Sequence, residues 1–267
     1  MATALEDQEL EPVHARAVEA IGSVRLNIWR GDQGGGELVG YDVPVQEGMV
    51  VLDAVLWVQQ HLSSDLAVRW NCKAAKCGSC SAEINGFPRL MCKTRLQGLP
   101  PGEITVRPMH TFPNIKDLVT DVSWNYEVNR RIPKFTPSRQ DQESTEPWHM
   151  AQEDVNRSIE FRKCIECFLC QDVCHVLRSD DRKDAFFGPR SMIRIASLEM
   201  HPKDVLDRRP LLRHEAGVGM CNVTKCCTEV CPEHIHITDN AIIPLKERTA
   251  DLYFDPLRWA GRKLRGK

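Results

Sequence analysis

Twelve cysteines constrain this chain more than any other feature, because all of them fall into three groups of four. The groups are Cys72, Cys77, Cys80 and Cys92; Cys164, Cys167, Cys170 and Cys174; and Cys221, Cys226, Cys227 and Cys231. A disulfide scaffold would be a short chain with a secretory signal. Here 267 residues leave room for about two domains. The first twenty residues carry Glu6, Asp7, Glu9, Glu11 and Glu19 against Arg16 alone, with neither an apolar leader nor an Arg-rich presequence. Reduced thiols in a cytoplasm-like compartment, acting as metal ligands, are therefore expected. A formal net charge of −2 carries no nucleic-acid footprint, so no nucleic-acid partner is expected. The best apolar stretch, 49–58, is interrupted by Asp53, so the chain is not expected to span a membrane by itself.

Hydrophobic periodicity divides the chain into two different halves. Val24, Leu26 and Ile28 alternate with polar positions, as do Val39, Tyr41, Val43 and Val45, which predicts two half-buried strands joined by a turn at Gly34-Gly35-Gly36. Val51, Val55, Val58 and Leu62 recur at helical spacing and predict an amphipathic helix over 49–61. Asn85-Gly86 between 82–84 and 87–91 predicts a hairpin, and Ile104 with Val106 a closing strand. A helix is predicted over 115–129, then a linker rich in proline (Pro133, Pro137, Pro147). Helical segments are expected over 157–176, 191–200 and 224–230. The predicted class is α+β: a β-grasp plant-type ferredoxin domain followed by an α-helical bacterial-ferredoxin-like domain. The expected divisions are an acidic tail 1–21, a 2Fe–2S domain 22–125, a linker 126–150, a helical domain 151–252 and a basic tail 253–267.

The first group spells C-x4-C-x2-C-x11-C, the plant-type ferredoxin spacing for a 2Fe–2S cluster. Three thiolates on one loop and a fourth from the hairpin can enclose such a cluster, and Lys73 and Lys76 bring positive charge to an anionic centre. Four cysteines can also bind zinc, but the long C-x4-C loop on this strand pattern favours a cluster. The second group spells C-x2-C-x2-C-x3-C, the bacterial ferredoxin run, whose fourth cysteine serves the other cluster. The same template starting at Cys221 calls for ligands at 221, 224, 227 and 231, and Thr224 stands where the second cysteine should be. By the crossing rule Cys164, Cys167, Cys170 and Cys231 would hold a 4Fe–4S cluster. Cys174, Cys221 and Cys227 would hold a 3Fe–4S cluster. Cys226 is then either a spare thiol or a fourth ligand that completes a second 4Fe–4S cluster. His234 and His236 suggest zinc only weakly, because their alternation suits one exposed face. No G-x-G-x-x-G fingerprint is present, so the source and sink of electrons are expected on other chains.

A plant-type motif followed by two bacterial runs, the last lacking one cysteine, resembles the iron–sulfur subunit of succinate dehydrogenase and fumarate reductase. The run Arg162-Lys163-Cys164-Ile165-Glu166-Cys167 is also like that family's. The resemblance implies a membrane-bound oxidoreductase in which this chain holds no dicarboxylate site. A flavoprotein with FAD would interconvert succinate and fumarate, and electrons would pass through the 2Fe–2S, 4Fe–4S and 3Fe–4S centres to quinone at one or more anchor subunits. It implies a peripheral position on the cytoplasmic face of a bacterial plasma membrane. The family's best-known branch has proline and a quinone-contacting tryptophan where this chain has His175 and Ser179, and histidine where it has Asn222. No quinone contact is therefore carried over. The alternative is an iron–sulfur subunit of another flavin-linked dehydrogenase. Arg258, Arg262, Lys263, Arg265 and Lys267 around Trp259 and Leu264 form either a solvated tail or a contact for anionic lipid.

Overall fold

The computed structural model of the protein describes residues 20–179 and 181–256, the side chains of 252–254 excepted. The acidic segment through residue 19 and the basic residues from Arg258 onward lie outside the described residues.

The first half is built on a five-stranded mixed sheet in the order β2-β1-β5-β3-β4. β1 (Gly22–Asp32) and β2 (Gly35–Val45) form a hairpin in register from Gly22↔Val45 to Asp32↔Gly35. β5 (Ile104–Arg107) runs parallel to β1 and antiparallel to β3 (Ser81–Ile84), which turns through Asn85-Gly86 into β4 (Phe87–Leu90). Asn85 and Gly86 have φ of 50° and 78°, the paired left-handed conformation that a tight hairpin of the right twist demands. Leu26, Ile28, Val43, Ile104 and Val106 bury against α1 (Val51–His61) through Val51, Leu52, Ala54, Val55 and Val58.

Leu62 departs from the predicted stripe. The helix ends at His61, the chain turns away, and Leu62 is 52% exposed while Leu66 fills the core. The helix predicted over 115–129 also differs. Its first part is a small hairpin of β6 (Asn114–Lys116) and β7 (Val119–Thr120), and α2 begins only at Ser123 and runs to Arg131. The reason is tertiary. Asp117, in left-handed backbone at φ 47°, is buried and accepts from Arg30 Nε (3.0 Å), Gly31 N (3.1 Å) and Ala67 N (2.8 Å). Those bonds need a turn at Asp117, which a continuous helix cannot supply.

The segment expected as a linker carries order of its own. It contains α3 (Arg139–Glu143), whose Ser138 side chain caps Asp141 N at 3.1 Å. The fully buried Arg208 pairs with Asp204 at 2.9 Å and donates to the carbonyls of Pro133 (3.2 Å) and Lys134 (2.6 Å). A buried guanidinium satisfied in this way ties the crossing segment to the second half.

The second half is helical: α4 (Gln152–Ile159), α5 (Leu169–Asp172), α6 (His175–Arg178), α7 (Gly188–Glu199), α8 (Arg209–His214), α9 (Cys226–Glu229) and α10 (Ile243–Phe254). Its core gathers Phe186, Phe187, Met192, Ile195, Leu212 and Leu245. The helix expected over 157–176 is interrupted by a cysteine loop between α4 and α5. The halves share a seam. Cys167 and Leu169 pack into the core under the sheet, Glu83 on β3 pairs with Arg178, and buried Asp172 accepts from Thr111 N at 2.9 Å.

Candidate metal centres

Each cysteine loop owes its curl to left-handed backbone. In the first, Lys73, Ala75 and Gly78 have φ of 52°, 55° and 69°. The amides of Ala74 and Lys76 consequently point at Cys72 Sγ, each at 3.3 Å. Burial pushes the Cys77 thiol up, but hydrogen bonds from Ser79 and Cys72 outweigh it and bring it down to about 7. Cys80, deep under the sheet beside Cys92 and Cys77, is pushed up to about 12 by burial. The two lysines of this loop turn outward. Lys76 pairs with Glu233 at 3.0 Å, while Lys73 lies over Trp70 and 3.9 Å from Asp53.

The second and third loops repeat one conformation. Glu166 and Phe168, two and four residues after Cys164, have φ of 55° and 61°. Val223 and Lys225, at the same offsets from Cys221, have φ of 61° and 64°. A one-turn helix follows each, α5 and α9. This match equates Thr224 with Cys167 and Cys226 with Leu169. Leu169 is a buried core residue, whereas Cys226 at the matching position is half-buried. Its Sγ donates toward Val173 O at 3.6 Å and lies 3.3 Å from Thr224 Oγ1.

The structure brings the sulfurs together crosswise. Cys164, Cys167, Cys170 and Cys231 line one cavity, together with Ile165, Phe168, Ile193, Ile235, Arg190 and Glu233. Burial pushes Cys167 up to about 12 and raises Cys170 well above the usual thiol range, and their neighbouring charges are the other thiols of this set and Cys227. Cys174 and Cys227 form the third set with Cys221 and Cys226, and burial pushes both up to about 11. Cys227 Sγ lies 3.4 Å from Thr238 Oγ1, Val223 N donates to Cys221 Sγ at 3.5 Å, and Ile235 N to Cys231 Sγ at 3.4 Å. Thr224, His175, Ser179 and Asn222 are exposed around the third set.

Buried thiols of raised pKa ionise only against a strong local positive charge, which a group of several irons supplies. Four thiols converging on one cavity suit such a group. Among the described residues no three His, Cys, Asp or Glu close on a point the size of one metal ion. His236 is held by Glu160, its Nδ1 at 2.8 Å.

The three sets stand in a row. The first meets the second at Gly78, where an added Cβ would lie 2.6 Å from Cys167 Cα and 2.9 Å from its N. Ser81 Oγ donates to Cys167 O at 2.8 Å, and Lys93 Nζ reaches Pro232 O at 2.8 Å. The second set meets the third through Cys170 and Cys227. Gly78, Ser81 and Arg190 were not singled out by sequence reasoning.

Gly48 supplies a control for Gly78, since it shares a left-handed φ (76°) but has nothing within 4 Å of an added Cβ. Gly48→Ala is expected to cost ~1–2 kcal/mol, the backbone strain alone. Gly78→Ala adds overlap with Cys167 backbone and should cost ~2–4 kcal/mol in urea unfolding. Equal losses would mean that the two loops are not held in contact.

The family described as 2Fe-2S iron-sulfur cluster binding domain matches residues 25–127, and that described as 4Fe-4S dicluster domain matches 160–235. The fumarate reductase iron-sulfur subunit of Mycobacterium tuberculosis is 32% identical over 201 residues, which is 73% of this chain and 79% of its own. That of Haemophilus influenzae is 30% identical over 210 residues, 73% of this chain and 80% of its own. A chain of the Mycobacterium smegmatis Sdh1 complex in the apo form is 59% identical with a TM-score of 0.85, covering 88% of this chain and 98% of that one.

Proposed function

This chain belongs to the fumarate reductase and succinate dehydrogenase iron–sulfur subunit family, and from that premise we propose that it carries electrons between a flavoprotein with FAD and quinone at a membrane anchor. It is the iron–sulfur subunit of an oxidoreductase complex, with a 2Fe–2S and a 4Fe–4S domain. In our assignment Cys72, Cys77, Cys80 and Cys92 hold 2Fe–2S on a β-grasp sheet. Cys164, Cys167, Cys170 and Cys231 hold 4Fe–4S, and Cys174, Cys221 and Cys227 hold 3Fe–4S. Bound clusters supply one-electron acceptors and donors. The chain's own work is to hold them, exclude water from the middle one and keep neighbours close.

The observation that carries this proposal is the row itself, with Gly78 against Cys167 at one junction and Cys170 beside Cys227 at the other. Exposed Trp70 flanks the first loop and exposed Met220 the third, so both ends offer apolar surface to partners. The flavoprotein is assigned to the first end and the anchor to the third. Among the described residues no helix is long and apolar enough to cross a membrane. We therefore assign attachment, on the cytoplasmic face of a bacterial plasma membrane, to the anchor. Another flavin-linked dehydrogenase is not favoured, since the match extends over the 2Fe–2S module.

Iron and acid-labile sulfide counts with potentiometric EPR on the purified complex, alongside succinate and fumarate assays, test the assignment. Three distinct centres are expected, and a colourless zinc protein would end it. Thr224 types the third centre. A threonine hydroxyl is a poorer iron ligand than a thiolate, and this one stands at the loop position equivalent to Cys167. The wild type should give an oxidised 3Fe–4S signal, and Thr224→Cys should convert part or all of it to 4Fe–4S of lower potential. Two 4Fe–4S centres in the wild type, with a 3Fe–4S signal arising only in Cys226→Ser, would make Cys226 a ligand instead.

A further inference from the structure

Arg190 sits in the wall of the cavity formed by Cys164, Cys167, Cys170 and Cys231, on the first turn of α7. Its side chain is only 8% exposed. One end of the guanidinium is committed, with Nη1 donating to Asn129 Oδ1 at 3.1 Å and Nη2 paired with Glu166. The Nε–H is not. It is fully buried and has no hydrogen-bond partner within the protein. Buried donors are almost always satisfied, so one left free on the wall of a sulfur-lined cavity points to an acceptor inside it.

Its charge matters as much as its hydrogen. An arginine remains protonated even when burial lowers its pKa, as here. The Cys164 thiol is its neighbouring anionic group, and Arg190 in turn favours the Cys164 thiolate. Glu166 is 42% exposed, so water screens its negative charge more than the enclosed positive one. Glu233 lines the same cavity but is paired with Lys76 at 3.0 Å, so Arg190 adds a positive contribution to the field there.

We propose that Arg190 sets the reduction potential of the middle centre, its Nε–H donating to a sulfur of the bound cluster and its charge favouring the reduced form. This rests on the 4Fe–4S assignment for the cavity. Reduction adds one electron, and thus one negative charge, to a centre beside a fixed cation. Removing the cation must lower the midpoint, and removing the opposing carboxylate must raise it. Hydrogen bonds to cluster sulfurs and local charge are among the properties that tune such potentials.

The test is EPR-monitored potentiometric titration of the whole complex for wild type, Arg190→Met, Arg190→Lys and Glu166→Gln. Arg190→Met should weaken the equilibrium for reducing the middle centre at least tenfold, a fall of ~59 mV for a one-electron couple. Arg190→Lys, which keeps the charge but not the planar donor, should fall by less. Glu166→Gln should move the midpoint upward. The first and third centres should stay within experimental error in all three. An unchanged midpoint in Arg190→Met with its cluster intact would overturn the proposal. If Arg190→Met loses the cluster, Glu166→Gln decides: a raised midpoint supports the proposal and an unchanged or lowered one overturns it. A wild type whose iron and sulfide counts show no 4Fe–4S centre would instead overturn the assignment on which it rests.

Discussion

Replacement of Cys231 by serine should remove the centre built on Cys164, Cys167 and Cys170 and spare the one built on the cysteines nearest to it in the chain. The expectation follows from the cavity, whose wall takes Cys231 together with those three. A serine hydroxyl there cannot replace a thiolate on iron, and burial raises the pKa of the other three thiols, which leaves them dependent on a complete ligand set. Iron content should fall by about four atoms per chain, with the middle EPR signal lost. Cys174→Ser should do the reverse and remove the third signal only. If Cys231→Ser abolished the third signal and kept the middle one, the crosswise assignment would be wrong. Either variant breaks the row, so electron flow from succinate to quinone should drop to background.

Cys72→Ser should have an equally large effect on electron flow from the other end. Cys72 Sγ accepts from the amides of Ala74 and Lys76, so its loss disturbs the first loop as well as removing a ligand. The 2Fe–2S signal should disappear while the signals of the second half remain, because the core around Phe186, Phe187 and Met192 does not draw on that loop. Quinone reduction by succinate should fall to background. Persistence at the wild-type rate in a preparation lacking the 2Fe–2S signal would show that electrons do not enter at the first centre.

Features that depend on residues close together in the chain were legible in advance. The spacing of the cysteines needed no fold to be informative, since each loop must bring its own thiolates round within a few residues. Asn85-Gly86 marked a hairpin because those residues tolerate the left-handed backbone that it requires. Val51, Val55 and Val58 marked a helix face by period alone, and α7 covers most of the segment expected over 191–200. Both halves also carried enough apolar residues at regular spacing to announce a sheet with one helix and a helical partner.

What only the tertiary structure decided involves partners remote in the chain. The carboxylate of Asp117 meets Arg30, Gly31 and Ala67, and that meeting turns a helical-looking segment into a hairpin. Leu62 loses its place in the core to Leu66 because the helix stops one residue short of it. That the loops carrying Leu169 and Cys226 share one conformation shows only in their φ angles. Gly78 looked like one small residue in a loop until Cys167 was found against its α-carbon, and Arg190 like any surface arginine until its Nε was found buried. The physical reason is common to all of these. Local propensity and periodicity act over a few residues, whereas burial, close approach and the field inside a cavity are set by chain segments that folding alone brings together.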